Sequence, residues 1–417
     1  MAADPFTASF LDRAGAKSKH IRVLEPAGRG RGVYSPVSAI KDLGKSPLAT
    51  IPCPLILTAN TCLQSDIVCR CVAMLDEAQA SEATLLSLFL QGSNGLYLTE
   101  DDLDALADTP VAAAVSAKLR HLQVLHGLVE RELSAWKQDS GIGGSVDFGA
   151  FKWANFIVLS RAISMQSFLE SPDGSAIPGD GYVHEGCNHA LVPFLDMFNH
   201  SEQPTAYWAL QPDGSVAVLK NDQPIDPSHH VEVDGEQYVE LHFCYGHNPS
   251  TEWVYAHGFV PKGNKHDAWP YFPRLHGSDG LVRVKMMWVA ELGLTPRVSL
   301  PDPSSSTGLA RPSKLTMCLA CLDDDPSSKC AEVVGNVTFD APYFAVNDTL
   351  VDDDDLLLQL PGLLTLAVDH ACCSLAETAD SLRSHMSRAP PPSPVVRDYL
   401  ETSVRLLGAI LSSLRNH

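Results

Sequence analysis

Tyr245-Gly246, with Glu252 and then His257-Gly258-Phe259 behind it, is one set of residues whose types can do chemistry. A tyrosine at a strand end with a glycine beside it can present its hydroxyl to a substrate; a buried Tyr bonded within the core is the alternative. Asp196, Asn199 and His200, in LVPFLDMFNHS, follow directly on an apolar run and so fall at the edge of a buried site. Buried polar groups need partners. A polar ligand is one candidate and helix capping by Asn199 is another. Ser160-Arg161 shares a helical segment with Trp153-Ala154, where an arginine beside an apolar face most simply makes a structural ion pair. Gly28, Gly30 and Gly32 permit sharp turns and close approach by a ligand or another strand. No GK[ST] follows them and no strand–GxGxxG–helix frame surrounds them, which argues against a nucleotide-phosphate loop.

Metal chemistry is not expected. In HEGCNH, His184 and His189 are five residues apart, which on a helix turns them off a common face. Cys318, Cys321 and Cys330 supply three thiols without a fourth ligand at zinc spacing. The eleven cysteines are odd in number and irregularly spaced, unlike a disulfide framework.

The elements that must position these groups are legible in part. The segment 21–52 is β-prone and interrupted by glycines. From about 60 to 138, long apolar-periodic stretches such as AAVSAKLRHLQVLHGLVERELSAW suit amphipathic helices, and FKWANFIVLSRAISM suits another. AYWAL and SVAVL, joined across QPDG, pattern as a hairpin. Val239, Leu241, Phe243 and Tyr245 alternate with Glu240, His242 and Cys244, the period of a half-buried strand that ends at Tyr245. After Pro261 the chain turns polar and irregular, with a Pro/Ser-rich loop at 299–313. The last hundred residues are helical in pattern: Val396, Leu400, Val404, Leu407, Leu411 and Leu414 share one helix face. The aspartates 352–355 suit either a helix start or a solvated loop.

Over 417 residues, 30 Lys+Arg stand against 50 Asp+Glu, a net charge of −20. That disfavours nucleic acid as a direct partner and suits a protein partner with a basic surface. No run approaches the ~18 apolar residues of a membrane span. The start, MAADPFTASFLDRAG, lacks the order of a signal peptide, so no membrane partner and a cytoplasmic or nuclear location are expected.

Taken in order, GRGV at 30–33, the WA…SR helix at 153–161, DMFNHS at 196–201 and the YG…HGF segment at 245–259 resemble SET-domain methyltransferases. The helical insert and helical C-terminal region make the likeness closest to the Rubisco large-subunit lysine methyltransferase group. The resemblance implies an α+β fold: small twisted sheets with a knot-like core in a SET domain over 1–265, split by a helical insert at about 55–145. A helical, all-α substrate-binding domain over 266–417 completes it.

The implied cofactor is S-adenosyl-L-methionine. Gly30, Arg31 and Gly32 would wrap it through backbone groups and Arg161 would approach its carboxylate. Asp196, Asn199, His200 and Phe259 would complete its site, with Tyr245 as the catalytic tyrosine at its edge. His257 stands where the family usually carries a tyrosine of the acceptor channel, and Ser250 where it carries an asparagine. The implied activity is protein-lysine N-methylation of a non-histone substrate of the ribosomal-protein or elongation-factor type. A histidine acceptor is the alternative, and a SET-fold binding module without turnover is the rival from another class.

Overall fold

The computed structural model describes residues 21–26, 30–42, 46–58, 98–140, 146–164, 189–222, 225, 229–304, 309–335, 337–340, 343–346, 349–350, 361–387 and 393–415. Most of the expected insert (59–97), most of the HEGCNH segment, Gly28 and the aspartates 352–355 lie outside them. Two compact units are formed, residues 1–96 with 119–247, and residues 97–118 with 248–417. The long helix Pro110–Ser140 contributes to both.

The described residues of the first unit form three small sheets. Strands β1 (Arg22–Leu24), β2 (Gly32–Pro36), β3 (Ala49–Ile51), β4 (Leu57–Thr58), β5 (Ile163–Ser164), β6 (His189–Leu191), β7 (Asn199–His200), β8 (Ala206–Leu210), β9 (Val216–Lys220), β10 (His230–Val233) and β11 (Glu236–Phe243) follow one another along the chain. They pair as β1-β2-β11-β10, β3-β9-β8 and β4-β6-β5. All these contacts are antiparallel except one: β7 runs parallel to the end of β11, with Asn199 opposite His242 and His200 opposite Phe243. Val33, Phe198, Val218, Val239 and Leu241 lie in the shared core.

Local chemistry explains several connections. The β8–β9 hairpin closes where Gly214 donates to the Gln211 carbonyl at 2.9 Å, and its φ of 76° is one that glycine adopts freely. The β10–β11 turn is Asp234-Gly235, with φ of 53° and 81°, the backbone of a two-residue turn whose twist matches the flanking strands. The helix Phe148–Arg161 starts at Asp147, whose side chain accepts from the Ala150 N–H at 2.9 Å. It ends at Arg161, so the following Ile163–Ser164 is strand, where the apolar pattern suggested more helix.

β11 departs from the sequence reading. Its alternation suggested one wet face, yet Glu240 and His242 are buried along with Val239 and Leu241. β11 is flanked by β2 and β10 in the sheet, and residues of both parities from Tyr238 to Phe243 are buried, so both of its faces are covered there.

The second unit is mainly helical, with Glu100–Ala105, Asp279–Glu291, Arg311–Cys321, Lys329–Val334, Pro361–Met386 and Pro394–Leu414. It is not all-α. β12 (Ala268–Tyr271) pairs with β13 (Val298–Pro301), and β14 (Val337–Asp340), β15 (Tyr343–Val346) and β16 (Thr349–Leu350) form a meander. The β-branched and aromatic residues of VTFD and YFAV favour such strands. On the last helix Val396, Leu400, Leu407, Leu411 and Leu414 are buried, as the spacing predicts, and Val404 is half-buried.

Buried polar groups brace this unit. The Asp102 side chain accepts from Thr99 N–H at 3.2 Å in a capping box and from Ser393 N–H at 2.9 Å, tying the first helix to the start of the last. Lys285 is fully buried. Its ammonium donates to the carbonyls of His276 (2.6 Å), Ala320 (3.0 Å) and Leu322, two of which lie at the end of the helix Arg311–Cys321. A cation there meets the negative end of the helix dipole. Lys285→Met keeps the length but strands the His276 and Leu322 carbonyls, and should lower unfolding stability in urea by about 2 kcal/mol.

Candidate functional site

The β7–β11 parallel pairing gathers the polar residues of LVPFLDMFNHS onto the end of the strand that leads to Tyr245. Ser201 N–H continues the ladder by donating to the Phe243 carbonyl at 2.9 Å. Beneath it the Phe198 and Phe243 rings stack at 4.0 Å and 8°. The chain reaches this position through Phe194, a non-glycine residue held at φ 78°, which turns it into the short 3₁₀ segment Leu195–Met197. Such a backbone costs of order 1 kcal/mol and persists where surrounding packing enforces it; Phe194 is buried and its ring meets Phe198 edge-on.

Tyr245 is fixed at both ends. Its hydroxyl donates to the Phe198 carbonyl, and its backbone N–H donates to His200 Nδ1 at 3.1 Å. Burial pushes the phenol pKa up to about 12, against the pull of the Arg161 guanidinium and with a further push from Asp196. Tyr245 is therefore a neutral phenol whose hydrogen is placed on the Phe198 carbonyl, and a hydroxyl oxygen that donates can also accept. Because His200 Nδ1 accepts, its proton sits on Nε2. Burial also lowers the His200 pKa, against the pull of Glu202, so the ring is held neutral.

Arg161 Nη1 donates to the Asp196 carbonyl and lies 3.5 Å from its carboxylate. The ion pair is half-buried, and burial raises the Asp196 pKa although Arg161 opposes it. A guanidinium carries five N–H donors, more than this pair uses.

On the neighbouring strands, Asn199 Nδ2 donates to the Arg31 carbonyl at 3.0 Å and to Glu240 Oε1 at 2.8 Å. Both partners accept only, so the amide must face them with its nitrogen, and Asn199 Oδ1 is the end left over. Gly32 sits against this junction: a Cβ there would lie 2.7 Å from Glu240 Oε1 and 2.9 Å from Asn199 Nδ2. Gly30 is constrained differently, by a φ of 72° with open space where a Cβ would stand.

The first unit thus brings together Gly30, Arg31, Gly32, Arg161, Asp196, Asn199, His200 and Tyr245. His257 and Phe259 belong to the second unit, where both rings pack on buried Trp253, at 4.9 and 5.2 Å between centroids. There Gly258 N–H bonds back to the Trp253 carbonyl, five residues earlier, and its φ of 73° ends the wide turn. Sequence reasoning passed over Glu240 as an outward-facing strand residue. Its one available signal was an acidic side chain inside a run of strand-forming residues.

Among the described residues no group of three His, Cys, Asp or Glu is placed to hold a metal. Cys318 and Cys321 are buried thiols, pushed up to about 12 by that burial. No described helix is long and apolar enough to cross a membrane.

The sequence matches no protein-family model and no curated protein. Solved structures do match. The SET domain of LSMT bound to lysine and AdoHcy superposes with a TM-score of 0.61 at 16% identity, over 99% of this chain and 90% of that one. This chain carries a SET-domain fold. Rubisco LSMT bound to AdoMet (TM-score 0.59, 16% identity, 100% and 92% of the two chains) has the same architecture. So does Rubisco LSMT bound to sinefungin and monomethyllysine (TM-score 0.60, 15% identity, 99% and 92%).

Two outcomes follow for the SET-fold site. Gly32→Ala should lower stability by about 1–3 kcal/mol through overpacking, and Gly30→Ala by about 1 kcal/mol through backbone strain alone, both measured by thermal unfolding. With the folded His200 pKa below its unfolded value of about 6.5, the unfolded state binds more protons in between, so stability falls as pH drops below about 6.5. Urea unfolding from pH 8 to 5 should show that loss, and His200→Gln should reduce it.

Proposed function

We propose that the protein is an S-adenosylmethionine-dependent protein N-methyltransferase. The observation that carries the reading is Tyr245, its hydroxyl and N–H both fixed by the segment that holds Asn199 and His200, beside the Arg161–Asp196 pair. The donor set suits the methionine end of the cofactor. A zwitterion needs a cation for its carboxylate and an acceptor for its ammonium, and Arg161 and Asn199 Oδ1 supply one each. Gly30, Arg31 and Gly32, in the same unit, offer backbone groups.

The bound cofactor supplies a sulfonium methyl for in-line displacement. What the protein's own residues do is hold the acceptor and exclude water. A lysine acceptor must arrive without its proton, because an ammonium has no lone pair, and an apolar passage lowers its pKa from about 10.4. The Tyr245 oxygen, its own hydrogen bound to Phe198, accepts from the neutral amine and orients the nitrogen lone pair. As a phenol with a pKa pushed up to about 12, Tyr245 keeps this role through the neutral range.

The acceptor class is lysine in a non-histone protein with a basic surface, met by the second unit and favoured by the −20 charge. His257, in place of the tyrosine that the resemblance implies, favours a second reading in which the acceptor is histidine. A cytoplasmic or nuclear location accords with both.

Labelled methyl transfer from S-adenosylmethionine into an extract of cells lacking the protein tests the reading, with mass spectrometry of any labelled band. Tyr245→Phe should keep cofactor affinity within about threefold and lose at least ~100-fold in turnover. Label on a histidine nitrogen would overturn the lysine assignment. Cofactor binding without label from either enzyme form would favour a binding module.

A further inference from the structure

Glu240 is a carboxylate inside a sheet, 6% exposed, on a strand whose other residues there are apolar or histidine. Burying a carboxylate is costly unless hydrogen bonds compensate. Its described side-chain partners are Asn199 Nδ2 at 2.8 Å and His242 Nε2 at 3.5 Å, and the His242 ring packs on His229 at 4.6 Å. The strand around it is tightly tied: Thr205 Oγ1 donates to the Glu240 carbonyl at 3.4 Å and accepts from His242 N–H at 2.8 Å. The carboxylate therefore has little freedom to move, while Asn199 stands on a two-residue strand with less support of its own.

We propose that Glu240 is a positioning residue of the methyl-donor site, acting through Asn199. An asparagine amide can turn over and exchange its oxygen and nitrogen ends. With the Arg31 carbonyl as sole partner, one Nδ2 hydrogen is placed and the second is free. The Glu240 carboxylate takes the second, so the amide is locked with Oδ1 outward. Gly32 is part of the same device, since any larger residue would separate the two side chains. The inference rests on the methyltransferase reading and adds to it a residue that touches no ligand.

The test is calorimetric titration of S-adenosylhomocysteine into the full chain and into Glu240→Ala, Glu240→Gln, Asn199→Ala and the corresponding double variants, with ligand-free thermal unfolding alongside. Glu240→Ala should weaken binding at least ~10-fold, the loss of one charge-assisted hydrogen bond, and Glu240→Gln about threefold. In the Asn199→Ala background neither change should alter affinity by more than about twofold, because the group through which Glu240 acts is gone. A purely structural Glu240 would instead lower affinity equally in both backgrounds, and that result overturns the inference. So does unchanged affinity in Glu240→Ala. Should Glu240→Ala fail to fold, the Gln cycle decides by the same criterion. Wild-type protein that binds no S-adenosylhomocysteine overturns the methyltransferase reading itself; wild-type binding with an additive cycle removes only the role of Glu240.

Discussion

Two residues of parallel pairing, Asn199 and His200 against His242 and Phe243, are the constraint on which the first unit turns. Parallel neighbours cannot be joined by a tight hairpin, so the chain between them must travel away and return. It does so through β8, β9 and β10, which build two of the three sheets on the way. Once closed, the short ladder fixes Ser201 by its N–H, Tyr245 by the His200 ring and Asn199 by Glu240, all within a few residues. The stacked Phe198 and Phe243 rings fill the space under it, so the polar groups above rest on packed core rather than on loop.

The same closure sets the charge states. Burial keeps Tyr245 a phenol and His200 a neutral imidazole, and it works against ionisation of Asp196, which Arg161 supports. The groups around Tyr245 are thus a guanidinium paired with a carboxylate, a neutral imidazole and a phenol.

Much of this was legible in the sequence. The apolar run before Asp196, the β8–β9 hairpin, the strand leading to Tyr245, though it ends two residues earlier at Phe243, and the face of the last helix all follow from spacing. What was not legible has physical reasons. The alternation along β11 marks residue types, not exposure, and here both faces are covered from Tyr238 to Phe243. Glu240 is tolerated inside because Asn199 of β7 donates to its carboxylate and His242 Nε2 lies 3.5 Å from it. Lys285 gave no signal either, since a lysine in VRVKMMWVAE is ordinary on a helix surface and two of its three carbonyl acceptors lie 35 and 37 residues away. The meander 337–350 sits among helices and is too short for periodicity to register. Asp234-Gly235, by contrast, was a hairpin signal in plain view.

The partner of the Tyr245 hydroxyl is a peptide carbonyl, that of Phe198. Every amino acid has one. Residue 198 can drift among side chains that fill the same space without disturbing the phenol, so long as the backbone path is kept. The Arg31 and Asp196 carbonyls that receive Asn199 and Arg161 share this property. A centre wired largely through the main chain is indifferent to much of its own sequence.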